Sequence, residues 1–234
     1  MQPLPSGANY MAYDRTIVVF SPDGRLLQVE YAREAIKRGS TSIGIRVKDA
    51  VILGATKTTT PLGVSDSYKK IYEIDSHIGL VSSGLLSDAR DLAEFARVRA
   101  QVNNITYGEP ISISSLTRHI SDRQHMVTQY AGVRPYGVGL LIGGVNDAPE
   151  LYETDPSGTM IEWKAQAIGR GAEKARKVLE KDYADNMDTE AGIRLMLRAL
   201  RAGERETGLQ DMEIAVIGSS GFRMLGVEEI KKYA

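Results

Sequence analysis

The chain has 234 residues, of which 42% are hydrophobic, enough to bury a sizeable core within one domain. Its 29 Lys and Arg stand against 30 Asp and Glu, and the net charge of −1 argues against a dedicated nucleic-acid binder. The absence of cysteine excludes disulfides, thiol catalysis and Cys-based metal sites. His77, His119 and His125 show no HExxH spacing, so neither a metal nor a cofactor is expected. No apolar run approaches the ~20 residues that cross a bilayer, and the first residues lack the order of a signal peptide. A cytoplasmic chain without membrane or nucleic-acid partners is expected.

In chain order, residues 1–12 carry Pro3, Pro5 and Gly7 and read as a flexible tail. A short strand is predicted over 16–20. Ser21-Pro22-Asp23-Gly24 is then a turn, since proline fixes φ and glycine permits positive φ. Helix 25–38 follows, with Leu27, Tyr31 and Ala35 at i, i+4 and i+8, and Leu26, Val29 and Ile36 widening its apolar face. Lys37 and Arg38 suit the negative end of its dipole, and Gly39 ends it. Strands 41–47 and 50–56 form a hairpin around Lys48-Asp49, and strands 70–75 and 79–83 form a second pair. Helix 87–103, with Ser87 as its candidate N-cap, and helix 113–130 come next, separated by Pro110. Strands 137–145, 150–154, 160–162 and 165–168 precede helices 171–183 and 189–206. Strands 213–217 and 223–225, joined by the turn Gly218-Ser219-Ser220-Gly221, and a helix over 227–233 close the chain.

Strands at hairpin-length spacing favour antiparallel pairing, and helices grouped in twos favour layers on opposite faces. An α+β fold, a four-layer αββα sandwich of two antiparallel sheets, satisfies both patterns.

Within this frame, Tyr13-Asp14-Arg15, Phe20-Ser21-Pro22-Asp23-Gly24-Arg25-Leu26 and Gln28-Val29-Glu30-Tyr31-Ala32 come first. Gly39-Ser40-Thr41-Ser42-Ile43-Gly44, Ser83-Gly84-Leu85 and Arg134-Pro135-Tyr136-Gly137-Val138 follow, then Asp155-Pro156-Ser157-Gly158 and Ala167-Ile168-Gly169. This ordered set resembles the proteasome α-subunit family from Tyr13 to the last helix. The plain tail and the lack of long insertions resemble its archaeal members. The resemblance implies the Ntn-hydrolase fold, with residues 13–234 as one domain and helix 25–38 on a ring face. It further implies a homoheptamer of α subunits that caps proteasome β subunits in a 20S core particle. Such a ring gates the passage of unfolded polypeptide and docks the C-termini of an ATP-dependent unfoldase, serving ubiquitin-independent proteolysis.

Active subunits of that family attack with an N-terminal Thr whose own α-amine acts as base, tuned by a Lys. The matching segment here is Gly39-Ser40-Thr41-Ser42, with Ser40 at the nucleophile's place, Thr56 at the acid's place and Lys70 retained. Ser40 carries an amide nitrogen, so no catalytic residue is assigned. The implied threonine-type endopeptidase is the complex and not this chain. The competing reading is self-cleavage between Gly39 and Ser40, giving a stand-alone Ntn amidohydrolase. A Ser/His/Asp triad lacks its GxSxG turn.

The resemblance also assigns roles outside catalysis. Tyr13, Asp14, Pro22 and Tyr31 form a gate cluster at the base of the tail, where phenols and a carboxylate can hydrogen-bond and Pro22 fixes the turn. Lys70, rather than its neighbour Lys69, lines a docking pocket with Gly84 and Leu85; an activator's C-terminal carboxylate needs a cation and backbone donors. Leu26, Leu27, Val29, Tyr31 and Ile36 offer more apolar surface than one face needs, which suits a contact shared between subunits. Arg134-Pro135-Tyr136 reads as a structural turn. Lys174, Arg176, Lys177, Glu180 and Lys181 read as a solvated helix face.

Overall fold

The computed structural model describes residues 18–58, 60, 62–204 and 207–234. The tail 1–12, Tyr13 and Asp14 lie outside the described residues. In chain order the strands are β1 (Ser42–Arg46), β2 (Ala50–Thr56), β3 (Ile71–Asp75), β4 (Ile78–Gly84), β5 (Val138–Val145), β6 (Pro149–Thr154), β7 (Met160–Glu162), β8 (Ala165–Ile168), β9 (Met212–Gly218) and β10 (Gly221–Met224). They build two five-stranded antiparallel sheets, ordered β10-β9-β2-β1-β8 and β3-β4-β5-β6-β7. The helices are α1 (Leu27–Arg38), α2 (Leu86–Tyr107), α3 (Ile113–Val127), α4 (Ala172–Asp182), α5 (Thr189–Gly203) and α6 (Val227–Lys231).

Three apolar layers hold these parts together. Ile43, Ile45 and Ile52 of the first sheet pack outward against Leu179 of α4 and Ile193, Met196 and Leu200 of α5. Leu80, Leu140 and Ile142 of the second sheet pack against Leu92 of α2 and Leu116 and Ile120 of α3. Between the sheets lie Val51, Leu53, Val81, Leu141, Leu151 and Ile217. Each such side chain contributes ~1.5–3 kcal/mol relative to exposure. Both faces of the central strands are therefore dry, and their sequences read as near-continuous apolar runs for that reason. The result is the αββα sandwich of the Ntn-hydrolase fold.

Element ends shift by a few residues, as in the predicted helices 87–103 and 113–130, which run Leu86–Tyr107 and Ile113–Val127, and three further details differ from the sequence reading. Ser87 does not cap α2: the helix begins at Leu86, no side chain caps it, and Ser87 Oγ instead donates to Asp88 Oδ1 at 3.4 Å. Residues 18–20 of the predicted strand 16–20 are not strand, and Val19 and Phe20 are exposed. On α1 the buried residues are Leu27, Val29 and Ala32, with Ile36 half-buried, whereas Tyr31 points outward and is 52% exposed. The i, i+4 spacing of Leu27 and Tyr31 describes the edge of the apolar stripe and not its centre.

Candidate functional site

Helix α1 packs on β4 and β5 and delivers the chain to Gly39. There the backbone passes so close to β4 that a Cβ on Gly39 would lie 2.5 Å from Ser83 Oγ and would also strike the Gly84 amide nitrogen. Only glycine fits this seam. Gly39 N–H donates to Ile36 O at 3.0 Å, and Gly39 O accepts from Arg170 N–H at 2.8 Å. Gly39 is thus held through both its own N–H and its own C=O.

Directly beyond it, three residues distant in sequence converge. Lys70 Nζ donates to Ser40 O at 2.6 Å and to Ser40 Oγ at 2.8 Å, and it also faces Thr41 O and Thr56 O, both at 3.4 Å. Ser40 Oγ donates in turn to Thr56 O at 2.7 Å. The sequence pairing of Ser40, Thr56 and Lys70 is reproduced in space. Lys70 is 4% exposed, whereas Lys69 is exposed. Burial pulls its ammonium down to about 7; Glu204 and Glu213 oppose that shift, and Arg170 adds to it.

Two carboxylates brace this centre. Glu213 accepts from Lys70 N–H at 3.0 Å and pairs with Lys57 at 3.3 Å. Glu204 accepts from Thr41 Oγ1 at 3.0 Å and from Arg170 Nε at 2.8 Å. Burial alone would raise the Glu204 carboxyl, but Arg170 and Thr41 outweigh it and hold the group below the usual carboxylate range. The sequence reading contained neither carboxylate. Each lies far along the chain from Lys70, with no local motif to mark it.

Chemically, the arrangement places a hydroxyl beside a lysine without the free amine that an Ntn nucleophile uses as its base. Thr56 stands at the acid's place and offers only a hydroxyl, which donates to Thr41 O at 3.4 Å.

Two cavities open beside this centre and share Gly84. The inner one, about 140 Å³, is lined by Ser40, Lys57, Tyr68, Lys70, Gly84 and Leu86. The outer one, an open groove of about 700 Å³, runs between Tyr31, Ala35 and Arg38 of α1 and the Gly39, Gly84 and Leu85 backbone. Lys70 and Gly84 line the smaller cavity, and Gly84 and Leu85 line the groove, so Lys70 and Leu85 stand in different cavities on either side of Gly84. Pro22 is exposed in the turn before α1, where Gly24 N–H donates to Ser21 O at 2.8 Å. Among the described residues, no group of three or more His, Asp or Glu could hold a metal ion, and no helix is long and apolar enough to cross a membrane.

Comparison with known proteins decides the family. The family model for proteasome subunits matches residues 36–217, and the N-terminal signature of A-type proteasome subunits matches residues 13–35. The chain belongs to the proteasome subunit family. As an α-type proteasome chain, it is similar to the proteasome subunit alpha of Pyrococcus abyssi, at 49% identity covering 94% of this chain and 86% of that one. The proteasome subunit alpha of Methanobrevibacter smithii is 50% identical over all of this chain and 94% of its own length. The proteasome subunit alpha 2 of Haloarcula marismortui is 50% identical over 96% of this chain and 94% of its own. The A-type signature ends within α1, the helix that seats Gly39 against Gly84 in this α-type chain.

Proposed function

We propose that this α-type proteasome chain is a non-catalytic ring, gate and docking component of a 20S core. One observation carries the reading: helix α1 packs on β4 and β5 and runs directly into Gly39, whose N–H and C=O are both hydrogen-bonded, so in the folded chain Ser40 follows a packed helix and carries an amide where an Ntn nucleophile needs an amine. The rival, a self-cleaved amidohydrolase, would require release of α1 from that seam.

In this reading seven copies close a ring. Exposed Phe20 and Tyr31, at 63% and 52%, and the half-buried Leu26 supply apolar surface at its face. The chain before Tyr13 gates the pore, with Tyr13, Asp14, Pro22 and Tyr31 steadying the open arrangement. An ATP-dependent unfoldase docks its C-termini at Lys70, Gly84 and Leu85, and unfolded polypeptide passes to a chamber of β subunits in the cytoplasm. The inner cavity suits a carboxylate because the cation there is already desolvated and the groove beside it can seat the preceding side chains.

The test is co-expression with a β subunit, followed by native mass measurement and peptide hydrolysis with and without the unfoldase. Seven-fold α rings, an intact Gly39–Ser40 bond, and loss of unfoldase stimulation in Lys70→Ala rings are expected. Chains of residues 40–234 with amidase activity of their own would overturn the proposal.

A further inference from the structure

The Arg134-Pro135-Tyr136-Gly137 motif has a place in the structure that its reading as a simple turn does not account for. Arg134 Nη1 and Nη2 donate to Asp88 Oδ2 at 2.6 Å and Asp88 Oδ1 at 2.7 Å, a two-pronged pair. Gly137 N–H donates to the same Asp88 Oδ2 at 2.8 Å. On its other side, Gly137 O accepts from Leu85 N–H at 3.0 Å. The 137 peptide is therefore held between the first turn of α2 and the Gly84-Leu85 turn.

That turn leaves no slack. Gly84 sits at φ +115°, a conformation that side chains rarely adopt, and a Cβ there would run into Gly137 O. A Cβ on Gly137 would lie 2.8 Å from Leu85 Cδ1. The position of the Gly137 peptide thus fixes both the Gly84 backbone and the Leu85 side chain. Those two residues form the shared wall and the rim of the cavities beside Lys70. Asp88 is buried, whereas the Arg134 side chain is 58% exposed. An outer cation thereby orients an inner carboxylate without itself reaching either cavity.

We propose that Arg134 and Asp88 are positioning residues for activator docking, acting through Gly137 to hold the Gly84-Leu85 turn at the shape that accepts a C-terminal carboxylate. The inference rests on the docking reading given above. Loss of the two-pronged pair leaves Asp88 free to turn and the 137 peptide free to drift, and the pocket must then be ordered at the expense of binding. The effect falls on how tightly the activator binds and not on what it does once bound.

The test uses assembled α–β particles and a short peptide bearing the unfoldase's C-terminal sequence, as the free acid and as the C-terminal amide. Arg134→Met is expected to raise the half-saturating concentration of the free acid about tenfold, equivalent to ~1.4 kcal/mol. Maximal stimulation at saturation should be retained. Arg134→Lys, which keeps the charge but loses one prong, should fall between the two. Tyr136→Phe removes the hydroxyl that bridges Arg123 and Asp91 on the far side of the motif, at 2.8 Å to each, and should shift nothing. Wild-type half-saturation in both Arg134 variants, or a lowered maximum with unchanged half-saturation, would overturn the inference. If Lys70→Ala particles still respond to the free acid, the docking site itself is wrong. If Lys70→Ala abolishes the response while Arg134→Met leaves it intact, only the positioning role falls.

Discussion

The Lys70 ammonium sits 2.8 Å from the Ser40 hydroxyl, buried behind a helix that no longer has a free end at that point. This pair keeps the layout of an Ntn site while the lysine nitrogen performs a structural task, donating to the Ser40, Thr41 and Thr56 carbonyls. Holding a cation in that place has a consequence for stability. In the unfolded chain Lys70 titrates near 10.5, whereas in the fold burial lowers it to about 7. Between those values the unfolded state binds more protons than the native state, so stability rises with pH, and it is lost again as pH falls toward 7. One proton gives a slope of up to ~1.4 kcal/mol per pH unit. Lys70→Met removes the group, so the difference in denaturant midpoint between wild type and variant should move in favour of wild type from pH 7 to pH 9.5. A difference that stays flat over that range would show that the ammonium keeps an ordinary affinity for its proton.

The Gly39 seam makes a second, more local prediction. Gly39→Ala places a methyl group against Ser83 Oγ and the Gly84 amide, both parts of a paired strand that cannot retreat. Overpacking of this kind costs ~1–3 kcal/mol. Gly218→Ala is the matched control: the atoms nearest the new Cβ, Asp49 O and Ala50 Cβ, lie at 3.5 and 3.6 Å, ordinary van der Waals distances, so its effect should stay within ~0.5 kcal/mol. Thermal unfolding of the two variants beside wild type measures the contrast. Equal melting temperatures for Gly39→Ala and wild type would mean that α1 does not bear on β4 as described.

The fold was legible because its signals are local. Alternation gave way to continuous apolar runs wherever a strand is covered twice, as in Ile52-Leu53 of β2 and Leu140-Leu141-Ile142 of β5. Glycine and short polar turns marked the hairpins. The candidate centre was legible only in part. Ser40, Thr56 and Lys70 could be aligned by motif, but the depth of Lys70 could not, because burial of a lysine depends on Glu204 and Glu213 arriving from α5's end and β9. Ser87 misled for a related reason. A serine before an apolar run normally caps a helix, yet here the Gly84-Leu85 turn is anchored to Gly137 O, and the helix starts one residue earlier. The outward-facing Tyr31 follows the same rule: a stripe three residues wide on α1 is decided by what lies beneath it.

Gating by the leading residues is tested by deletion. Residues 2–12 carry Pro3, Pro5 and Gly7, which disfavour regular structure, and a segment of that composition suits a movable plug. Removal of residues 2–12 is expected to speed hydrolysis of small peptides severalfold in assembled particles and to reduce the further gain from an activator. Native mass should show the same ring in both. Unchanged hydrolysis rates in the truncated particle would remove the gate from the proposed function.

If the docking proposed above takes place at Lys70, the same lysine links it to pH. An incoming carboxylate gains from Lys70 only when the amine is protonated, and the free site gives up that proton at about 7. Burial disfavours the charged form and Arg170 adds to that, while Glu204 and Glu213 favour it, and the balance falls near neutrality. A bound carboxylate adds one more anion and raises the lysine's proton affinity, so docking takes up a proton above neutrality. Half-saturation by the free-acid peptide should therefore worsen as pH climbs from 6.5 to 8.5, by at most about tenfold per unit. Lys70→Arg keeps its charge throughout this range, so whatever affinity it retains should be independent of pH. The C-terminal amide peptide, which carries no charge to be met, should show the same flat profile on wild-type particles. A flat profile for the free acid on wild type would place the carboxylate elsewhere in the groove, outside the reach of Lys70.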